Sequence, residues 1–270
     1  MTTIGFYGAG KVGFTLGKYF AENGLAVAGY YNRTPDAARD AARFTGSRCF
    51  AEVEELCAAS DIVFVTVADG AIAAVAERLR PFETDLCHCS GLLPAAVLGV
   101  RGRALHPLAA IDDRYRSYES MREVCFVVEG ELPFLAALPN PVRVIAPEQK
   151  PLYHAAATFL SNHVAAVAHT GLRLLEECGL DAEFGRRALG TLLVGQSLRI
   201  ADVGPVDALT GPAERGDTDT VARHLACLEK ISCEDAALYR ALTRRLLDIA
   251  QQKHPDRDYA ALHTLLGGTT

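Results

Sequence analysis

Short apolar runs alternate with segments of helical periodicity through the first half of the chain. Residues 4–7 form an apolar run that ends in a glycine-rich turn, and the apolar runs at residues 25–31 and 61–67 are typical of buried strands. This alternation predicts an α/β domain with a mostly parallel, doubly wound sheet over residues 1–150. Further strands are predicted at residues 48–50, 85–89, 103–106, 125–129 and 142–146, and helices at residues 53–59 and 71–79.

The second half of the chain has the pattern of an all-α domain. Pro151 suits the first turn of a helix, and neither Gly nor Pro follows before Gly171, so one long helix is predicted to end near Gly179. We expect residues 151–270 to form an all-α domain that binds substrate or forms a dimer. Later helices are expected to begin near Asp181, Asp217 and the capping-box pair Ser232 and Asp235.

Composition and net charge argue against a protein that binds nucleic acid or an anionic membrane. The chain has 270 residues, half of them apolar, and a formal net charge of −6, so it has room for two domains but no basic field that would attract nucleic acid or an anionic membrane. The N-terminal sequence lacks the pattern of a signal peptide, and no apolar run reaches membrane-spanning length, which favours a cytoplasmic protein.

Cysteine usage predicts neither disulfides nor a metal site. Cys87, His88 and Cys89 have ligand chemistry but lack a second group of ligands at metal-site spacing, so no metal is expected. The other scattered cysteines are expected to be reduced core residues, namely Cys49, Cys57, Cys125, Cys178, Cys227 and Cys233.

The glycine-rich turn after the first strand has the spacing of a dinucleotide-binding motif. Gly8 is expected to form the tight turn, Gly10 to let a pyrophosphate approach the backbone, and Gly13 to let helix and strand pack closely. The N terminus of the following helix would supply N–H groups to the phosphates. The predicted contacts with the dinucleotide therefore include Gly8, Ala9, Gly10, Lys11, Val12 and Gly13.

Residues after the second strand indicate which dinucleotide binds. Asn32, Arg33 and Thr34 stand where an NAD enzyme places a carboxylate against the ribose hydroxyls, and a guanidinium there suits a 2′-phosphate. NADP (as NADPH) is therefore the predicted cofactor, although Arg33 also has a plainer interpretation as a solvated surface charge. Strand ends elsewhere on the same edge add Val67, Ala68 and Ser90 as cofactor contacts, while Asp69 is expected either to cap a helix or to contact the cofactor.

Polar residues inside the long apolar helix are the candidate catalytic groups. Ser161, Asn162 and His163 are consecutive, and His154 lies seven residues before Ser161, on roughly the same helical face. Because unpaired buried polar groups cost about 1–3 kcal/mol each, these residues either face a cleft or bond to one another in a core or dimer contact.

Three other residues are candidate substrate contacts. His106 is expected near a strand end beside the cleft, although a histidine before proline is as plausibly structural. Thr210 and Arg215 lie in a glycine- and proline-containing loop over residues 208–217, where they have either a binding role or a turn-forming and capping role.

Several motifs together resemble one bacterial family across nearly the whole chain. IGFYGAGKVG, NRTP, HCSG, ALHPL, KPLYHAAATFLSNH and ALTGPAERGD are similar to Rossmann-like NADP oxidoreductases that carry a C-terminal domain of unknown function 2520. More distantly, the chain resembles pyrroline-5-carboxylate reductase, ketopantoate reductase and the 3-hydroxyacid dehydrogenases, and this resemblance implies hydride transfer. The hydroxyacid enzymes place an essential lysine one helical turn before an asparagine, whereas here His154 follows Lys150 at that spacing.

These observations predict an NADP-dependent oxidoreductase that acts on a small carbonyl, alcohol or imine bound between the two domains. His154 or His163 would handle a proton, and Ser161, Asn162, Ser90 or Thr210 would hold the substrate oxygen. The alternative is a non-catalytic NADP-binding regulator or sensor with the same cofactor site. A homodimer through the helical domain, which could also complete the active site, is expected.

Overall fold

The computed structural model describes residues 2–267, which divide into two compact units. The first unit ends at Asn162 and the second begins at His163. The functional division at residue 150 stays a prediction. Among the described residues, no helix combines the length and the apolar character needed to cross a bilayer.

A single mixed sheet forms the centre of the first unit. Its strands within the described residues are β1 (Thr3–Tyr7), β2 (Ala26–Tyr31), β3 (Arg48–Cys49), β4 (Ile62–Val65), β5 (Asp85–His88), β6 (Gly102–Pro107), β7 (Phe126–Glu129) and β8 (Val142–Val144). Their order is β3-β2-β1-β4-β5-β6-β7-β8. The pairs from β3 through β6 are parallel, β7 is antiparallel to β6, and β8 is parallel to β7. The predicted α/β class and mostly parallel sheet are confirmed.

Helices cover both faces of this sheet. The α-helices of the first unit up to Leu160 are α1 (Lys11–Glu22), α2 (Pro35–Thr45), α3 (Val53–Ala58), α4 (Asp69–Leu79) and α5 (Lys150–Leu160), with short 3-10 segments between later strands. One core contains Phe14 and Phe20 of α1 against Phe6 and Phe64 of the sheet, while the opposite core joins Leu56 of α3 and Ile72 of α4. Strands buried on both faces explain the continuous apolar runs of the sequence.

The second unit is helical, as predicted. Leu209, Val221, Leu225, Leu247 and Leu262 belong to its core. Asp217 accepts a hydrogen bond from the Thr220 N–H and Ser232 accepts one from the Asp235 N–H, so both predicted caps are confirmed. The elements are α6 (Asn162–Glu177), α7 (Ala182–Leu189), a π-helical segment (Gly190–Val194), α8 (Gly195–Ala208, with a kink at Gly204), α9 (Pro212–Arg215), α10 (Thr218–Ile231), α11 (Cys233–Lys253) and α12 (Ala260–Leu265).

The prediction of one uninterrupted helix from Pro151 to about Gly179 is wrong. Ser161 separates α5 from α6, with φ −132° and ψ −81°. The Ser161 hydroxyl donates to the carbonyl of Ala157 at 2.7 Å, which is the acceptor that the Ser161 N–H would use in a continuous helix, and that N–H bonds to Thr158 instead. At the break, the Ser161 hydroxyl thus competes with the backbone N–H for the Ala157 carbonyl.

The cysteine prediction is wrong for most positions. Of the six cysteines expected in the core, only Cys57 is buried, while the other five are exposed. An apolar neighbourhood in sequence does not reveal which face of an element a residue occupies. The exposed residues are Cys49, Cys125, Cys178, Cys227 and Cys233.

Candidate active site

The glycine turn lies at the carboxyl end of β1, against the end of β4. Gly8 has a φ of 115°, and a Cβ there would lie 2.8 Å from the carbonyl oxygen of Thr66. A Cβ on Gly13 would lie 2.6 Å from the Thr66 hydroxyl, whereas a Cβ on Gly10 would make an ordinary van der Waals contact with the Thr66 carbonyl oxygen at 3.8 Å. No side chain caps α1, so the N–H groups of Lys11 and its neighbours remain available at the turn. This arrangement fits the pyrophosphate of a dinucleotide.

The loop after β2 is joined to the glycine turn through Asn32. Its side-chain oxygen accepts from the Ala9 N–H at 3.3 Å, and its amide group donates to the carbonyl of Thr34 at 3.1 Å. Arg33 is exposed and forms no ion pair with the part of the chain that the structure describes. Thr34 precedes α2 without capping it. Asn32 therefore shapes the loop and leaves Arg33 and Thr34 open to a 2′-phosphate.

The Ser90 hydroxyl forms three hydrogen bonds within the protein, and the predicted contact of Ser90 with the cofactor stays a prediction. Its hydroxyl donates to the Asp69 carboxylate at 2.6 Å and accepts from the N–H groups of Leu92 and Leu93. A hydroxyl has one proton and two lone pairs, so all of its hydrogen-bonding capacity is used within the protein.

The same bond defines the role of Asp69. Asp69 is the first residue of α4, the cap position is Ala68, and no side chain caps the helix, so the prediction of an Asp69 cap is wrong. Through Ser90, Asp69 instead joins the loop after β4 to the loop after β5. Val67, at the start of the first of these loops, is half-buried, and Ala68 is exposed.

His88 fixes the loop after β5. Its Nδ1 accepts from the Ser90 N–H at 3.1 Å, so its protonated Nε2 donates to the Pro94 carbonyl at 3.2 Å. The side chain is fully buried, and burial lowers its pKa from the usual value. His88 is therefore neutral and structural. Among residues 2–267, no group of three or more His, Cys, Asp or Glu side chains is arranged to hold a metal ion.

Two imidazoles meet at Gly91, where the loop after β5 approaches the end of β6 and the start of α5. A Cβ on Gly91 would lie 2.8 Å from Nδ1 of His154 and 3.1 Å from both Cε1 and Nε2 of His106. The two ring centroids are 6.1 Å apart. The Nδ1 atom of His154 is buried and has no hydrogen-bond partner within the described residues. The structure thus brings together two of the predicted site residues, His106 and His154.

Tyr153 completes this group. Its hydroxyl lies 2.6 Å from Nδ1 of His106, and the two rings meet edge to face at 5.6 Å. Burial, followed by electrostatic interaction with His154 and Lys150, lowers the pKa of His106 to about 4. Burial raises the pKa of Tyr153 to about 12. We call His106, Tyr153, His154 and Gly91 the imidazole cluster.

Lys150 and Glu129 form a buried ion pair at the start of the helix that carries Tyr153 and His154. Lys150, the first residue of α5, is 2% exposed, and its Nζ is 3.3 Å from Oε2 of Glu129 at the end of β7. The same Glu129 oxygen accepts from the Ala95 N–H at 2.8 Å. Sequence reasoning missed this pair and also Tyr153. The available signal was a charged residue at the end of an apolar strand, because such residues are rarely buried unless they are paired.

Other predicted residues lie elsewhere. Ser161 and Asn162 are exposed, and the Ser161 hydroxyl bonds to Ala157 and Asn162 rather than to His154. His163 is exposed at the start of the second unit. In the second unit, Thr210 is exposed just before Gly211, and Arg215 is exposed at the end of α9.

The most strongly bonded residue of that second-unit loop is Glu214, which sequence reasoning did not single out. Its carboxylate pairs with His254 and Arg257, and its carbonyl accepts from the Tyr259 hydroxyl at 2.7 Å. The hydrogen bond from His254 lowers the pKa of Glu214. This network anchors the loop.

Two family models match separate parts of the chain. Residues 3–86 match the family described as NADP oxidoreductase, coenzyme F420-dependent, and residues 129–246 match the domain of unknown function DUF2520. The resemblance drawn from the sequence motifs is confirmed, and with it the oxidoreductase class and the NADP cofactor. No curated protein sequence matches this chain.

Solved structures share the fold over nearly the full length. Protein TM1727 from Thermotoga maritima is 28% identical with a TM-score of 0.76, covering 93% of this chain and 99% of its own. BF3122 from Bacteroides fragilis, a proposed NADP oxidoreductase, is 23% identical with a TM-score of 0.71, covering 92% and 98%. A reductive aminase from Aspergillus terreus, crystallised with NADPH and ethyl levulinate, is 16% identical with a TM-score of 0.66, covering 98% and 99%.

Proposed function

We propose that this protein transfers a hydride between NADP and a small carbonyl, alcohol or imine whose reacting group lies against the imidazole cluster. The observation that carries the proposal is the unpaired Nδ1 of His154, buried beside His106 at Gly91. An unpaired buried polar atom costs about 1–3 kcal/mol, so its retention favours a role in binding a polar group of a substrate.

The position of the cluster supports the same proposal. His106 lies near the carboxyl end of β6, and Gly91 follows β5, so both are on the sheet edge where open α/β sheets bind ligands. The Asp69–Ser90 hydrogen bond joins the loop after β4, which carries the predicted cofactor contacts Val67 and Ala68, to the residue before Gly91. The predicted cofactor contacts and the groups proposed to handle the proton thus lie on one edge of the sheet.

Each part of this edge has a distinct task in the proposed reaction. The bound NADPH supplies the hydride. The glycine turn binds the pyrophosphate, and Arg33 with Thr34 binds the 2′-phosphate. His106 and His154 orient the substrate oxygen or nitrogen and manage its proton. Roles for Ser161, Asn162, His163, Thr210 and Arg215 stay predictions. The reductive aminase with the same fold binds NADPH and ethyl levulinate, which is consistent with a carbonyl-containing substrate.

Calorimetry with NADPH and NADH tests the cofactor part. Arg33→Ala should weaken NADPH binding about tenfold or more and leave NADH binding unchanged, because only NADPH carries the 2′-phosphate. Arg39→Ala is the matched control, since Arg39 lies on α2, is exposed and already pairs with Asp36. Equal affinity of the wild-type protein for both nucleotides would contradict the 2′-phosphate assignment.

A turnover measurement distinguishes an enzyme from a non-catalytic NADP-binding regulator or sensor. Stereospecific transfer of deuterium from 4-deuterated NADPH to a panel that includes cyclohexanone and 1-pyrroline is expected in the wild-type protein. This transfer should fall about a hundredfold or more in a His106→Asn, His154→Asn variant with unchanged NADPH affinity. Tight NADPH binding with no turnover across the panel would instead favour the non-catalytic sensor.

A further inference from the structure

We propose that Tyr153 fixes His106 as the neutral tautomer with its proton on Nε2, so that the site polarises the oxygen of an uncharged carbonyl substrate. The inference rests on the proposed function for its substrate class. Its structural part, the state of the His106 ring, can be tested without cofactor or substrate.

The hydrogen bond between Tyr153 and His106 sets the direction of donation. Within residues 2–267, the Tyr153 hydroxyl has one hydrogen-bond partner, Nδ1 of His106 at 2.6 Å. A half-buried hydroxyl uses its single proton on this acceptor, which leaves Nδ1 unprotonated. With the pKa of His106 lowered to about 4 and that of Tyr153 raised to about 12, both groups are neutral at pH 7. The imidazole proton then resides on Nε2.

The Nε2 edge of His106 faces the space at Gly91. Nε2 is 3.1 Å from the point where a Gly91 Cβ would stand, and no group within the described residues forms a hydrogen bond with it. The charged and titratable groups around His106 are Tyr153, His154, Lys150 and Asp69. Lys150 is occupied by Glu129, and Asp69 by Ser90. The free polar atoms at this place are therefore the Nε2–H donor of His106 and Nδ1 of His154.

The Nε2–H group of a neutral His106 can bond only to a substrate atom that has a lone pair. A carbonyl oxygen has lone pairs that accept from Nε2–H, and this bond strengthens as negative charge develops on the oxygen during hydride transfer. An iminium nitrogen is positively charged and has no lone pair, so the same donor cannot bond to it. A neutral imidazole acting as an electrophile on a carbonyl is an established enzymatic device.

The proton balance of the step is complete. The carbonyl carbon receives the hydride of NADPH, and the oxygen takes the proton from Nε2 of His106 as the N–H bond breaks. In the same step, Nδ1 of His106 takes the proton of the Tyr153 hydroxyl. After the alcohol leaves, solvent supplies one proton to Nε2 of His106 and Nδ1 returns its proton to the Tyr153 oxygen, which restores the starting tautomer. The net reaction consumes one carbonyl, one NADPH and one proton, and yields the alcohol and NADP⁺.

Nitrogen-15 NMR of the full-length, cofactor-free protein tests the tautomer. Long-range proton–nitrogen spectra should show His106 with a protonated Nε2 and an unprotonated Nδ1 at pH 7, and His106→Asn assigns the signals. His88 is the internal reference, because its bonds with Ser90 and Pro94 fix the same tautomer. A wild-type His106 with its proton on Nδ1, or an imidazolium, overturns the proposal.

Variants decide whether Tyr153 is the cause. Tyr153→Phe should convert the His106 signals to those of a tautomer mixture while His88 stays unchanged. Tyr239→Phe is the matched control, because Tyr239 lies 2.8 Å from Nδ1 of His224 in a similar edge-to-face pair in the second unit. Its removal should alter His224 alone. An unchanged His106 tautomer in Tyr153→Phe would assign the fixation to another group.

The deuterium-transfer panel tests the substrate class separately. Ketones such as cyclohexanone should react, and Tyr153→Phe should lower kcat for them about tenfold or more while NADPH affinity is unchanged. Turnover restricted to 1-pyrroline would overturn the carbonyl assignment, even with the tautomer confirmed. No turnover with either compound, despite the correct tautomer, would count against the proposed function and not against the fixation of His106.

Discussion

Gly91 has no side chain at the place where two imidazole rings approach the backbone. Gly91→Ala would place a methyl group 2.8 Å from Nδ1 of His154 and 3.1 Å from His106, so one or both rings must move. We expect a loss of about 1–3 kcal/mol in the free energy of unfolding of the first unit, with reduced turnover. Urea titration followed by hydrogen exchange of β5 and β6 measures the stability.

Gly70→Ala is the control for this substitution. Gly70 lies in the first turn of α4 in the same unit, and a Cβ there would meet no atom within 4 Å. Replacing glycine by alanine in an open helical position should leave stability unchanged or raise it by about 0.5–1 kcal/mol. Equal effects of the two substitutions would show that the rings do not pack on Gly91 as described.

The lowered pKa of His106 makes the first unit sensitive to acid. An unfolded histidine titrates near pH 6.5, whereas folded His106 titrates at about 4, so below pH 6.5 the unfolded chain binds more protons. Stability from this residue is fully present above pH 6.5 and is lost as the pH falls towards 4, by about 2 kcal/mol between pH 7.5 and 5. His88, whose pKa is also lowered, acts in the same direction.

The variant His106→Asn isolates this contribution. Its free energy of unfolding should fall less steeply between pH 7.5 and 5 than that of the wild-type protein, and the remaining slope should include His88. Urea titrations at pH 5, 6 and 7.5 provide the comparison. Parallel pH profiles of the two proteins would show that His106 is not held neutral by the fold.

At the scale of elements, the Ser90 hydroxyl stabilises the loop after β5 through three hydrogen bonds. Ser90→Ala removes the acceptor of the Leu92 and Leu93 N–H groups and the donor to Asp69. We expect a loss of about 1–3 kcal/mol in stability and faster hydrogen exchange at those two amides. Ser120→Ala, which removes one exposed bond to Ser117, should change neither quantity measurably. Unchanged exchange at Leu92 and Leu93 would contradict the role given to Ser90.

Elements with a strong periodic pattern were predictable from the sequence, and their interruptions were not. The runs that became β1 and β4 are almost entirely buried, as is the second half of β2, and the glycines between β1 and α1 admit few other structures. The break at Ser161 depends on a hydroxyl that competes for one carbonyl, which no periodicity reveals. Because Ser161 leaves the helix, the predicted grouping of His154 with Ser161 on one face failed.

In the candidate site too, the features formed by residues close in sequence could be predicted, and those formed by distant residues could not. The glycine turn is contiguous in sequence, so its shape could be predicted, and the loop with Asn32 follows directly after the next strand. Pairing of His106 with Tyr153, and of Glu129 with Lys150, joins residues that are 47 and 21 positions apart in the chain. The sheet order and the start of α5 bring them together, and neither follows from the spacing of the residues involved.

At the scale of the whole molecule, the second unit exposes an unusual amount of apolar surface along one stretch of chain. Leu192 is 71% exposed and Leu198 is 67% exposed, and Phe184 and Val194 in the same stretch are also exposed. Concentrated exposed apolar side chains are typical of surfaces that bind another protein. Homo-oligomers are most often symmetric dimers, so we propose that a second copy of this chain covers these residues.

Sedimentation velocity tests this dimer. The wild-type protein should sediment as a dimer at micromolar concentration, and Leu192→Asp with Leu198→Asp should convert it to a monomer, because a dimer would have to bury two unpaired carboxylates in each chain. Val100→Asp is the control, since Val100 is fully exposed but stands alone in the first unit, so its dimer should persist. A wild-type protein that sediments as a monomer would contradict the proposal. A dimer in the double variant would place the interface elsewhere, because an apolar contact centred on these two leucines could not survive both charges.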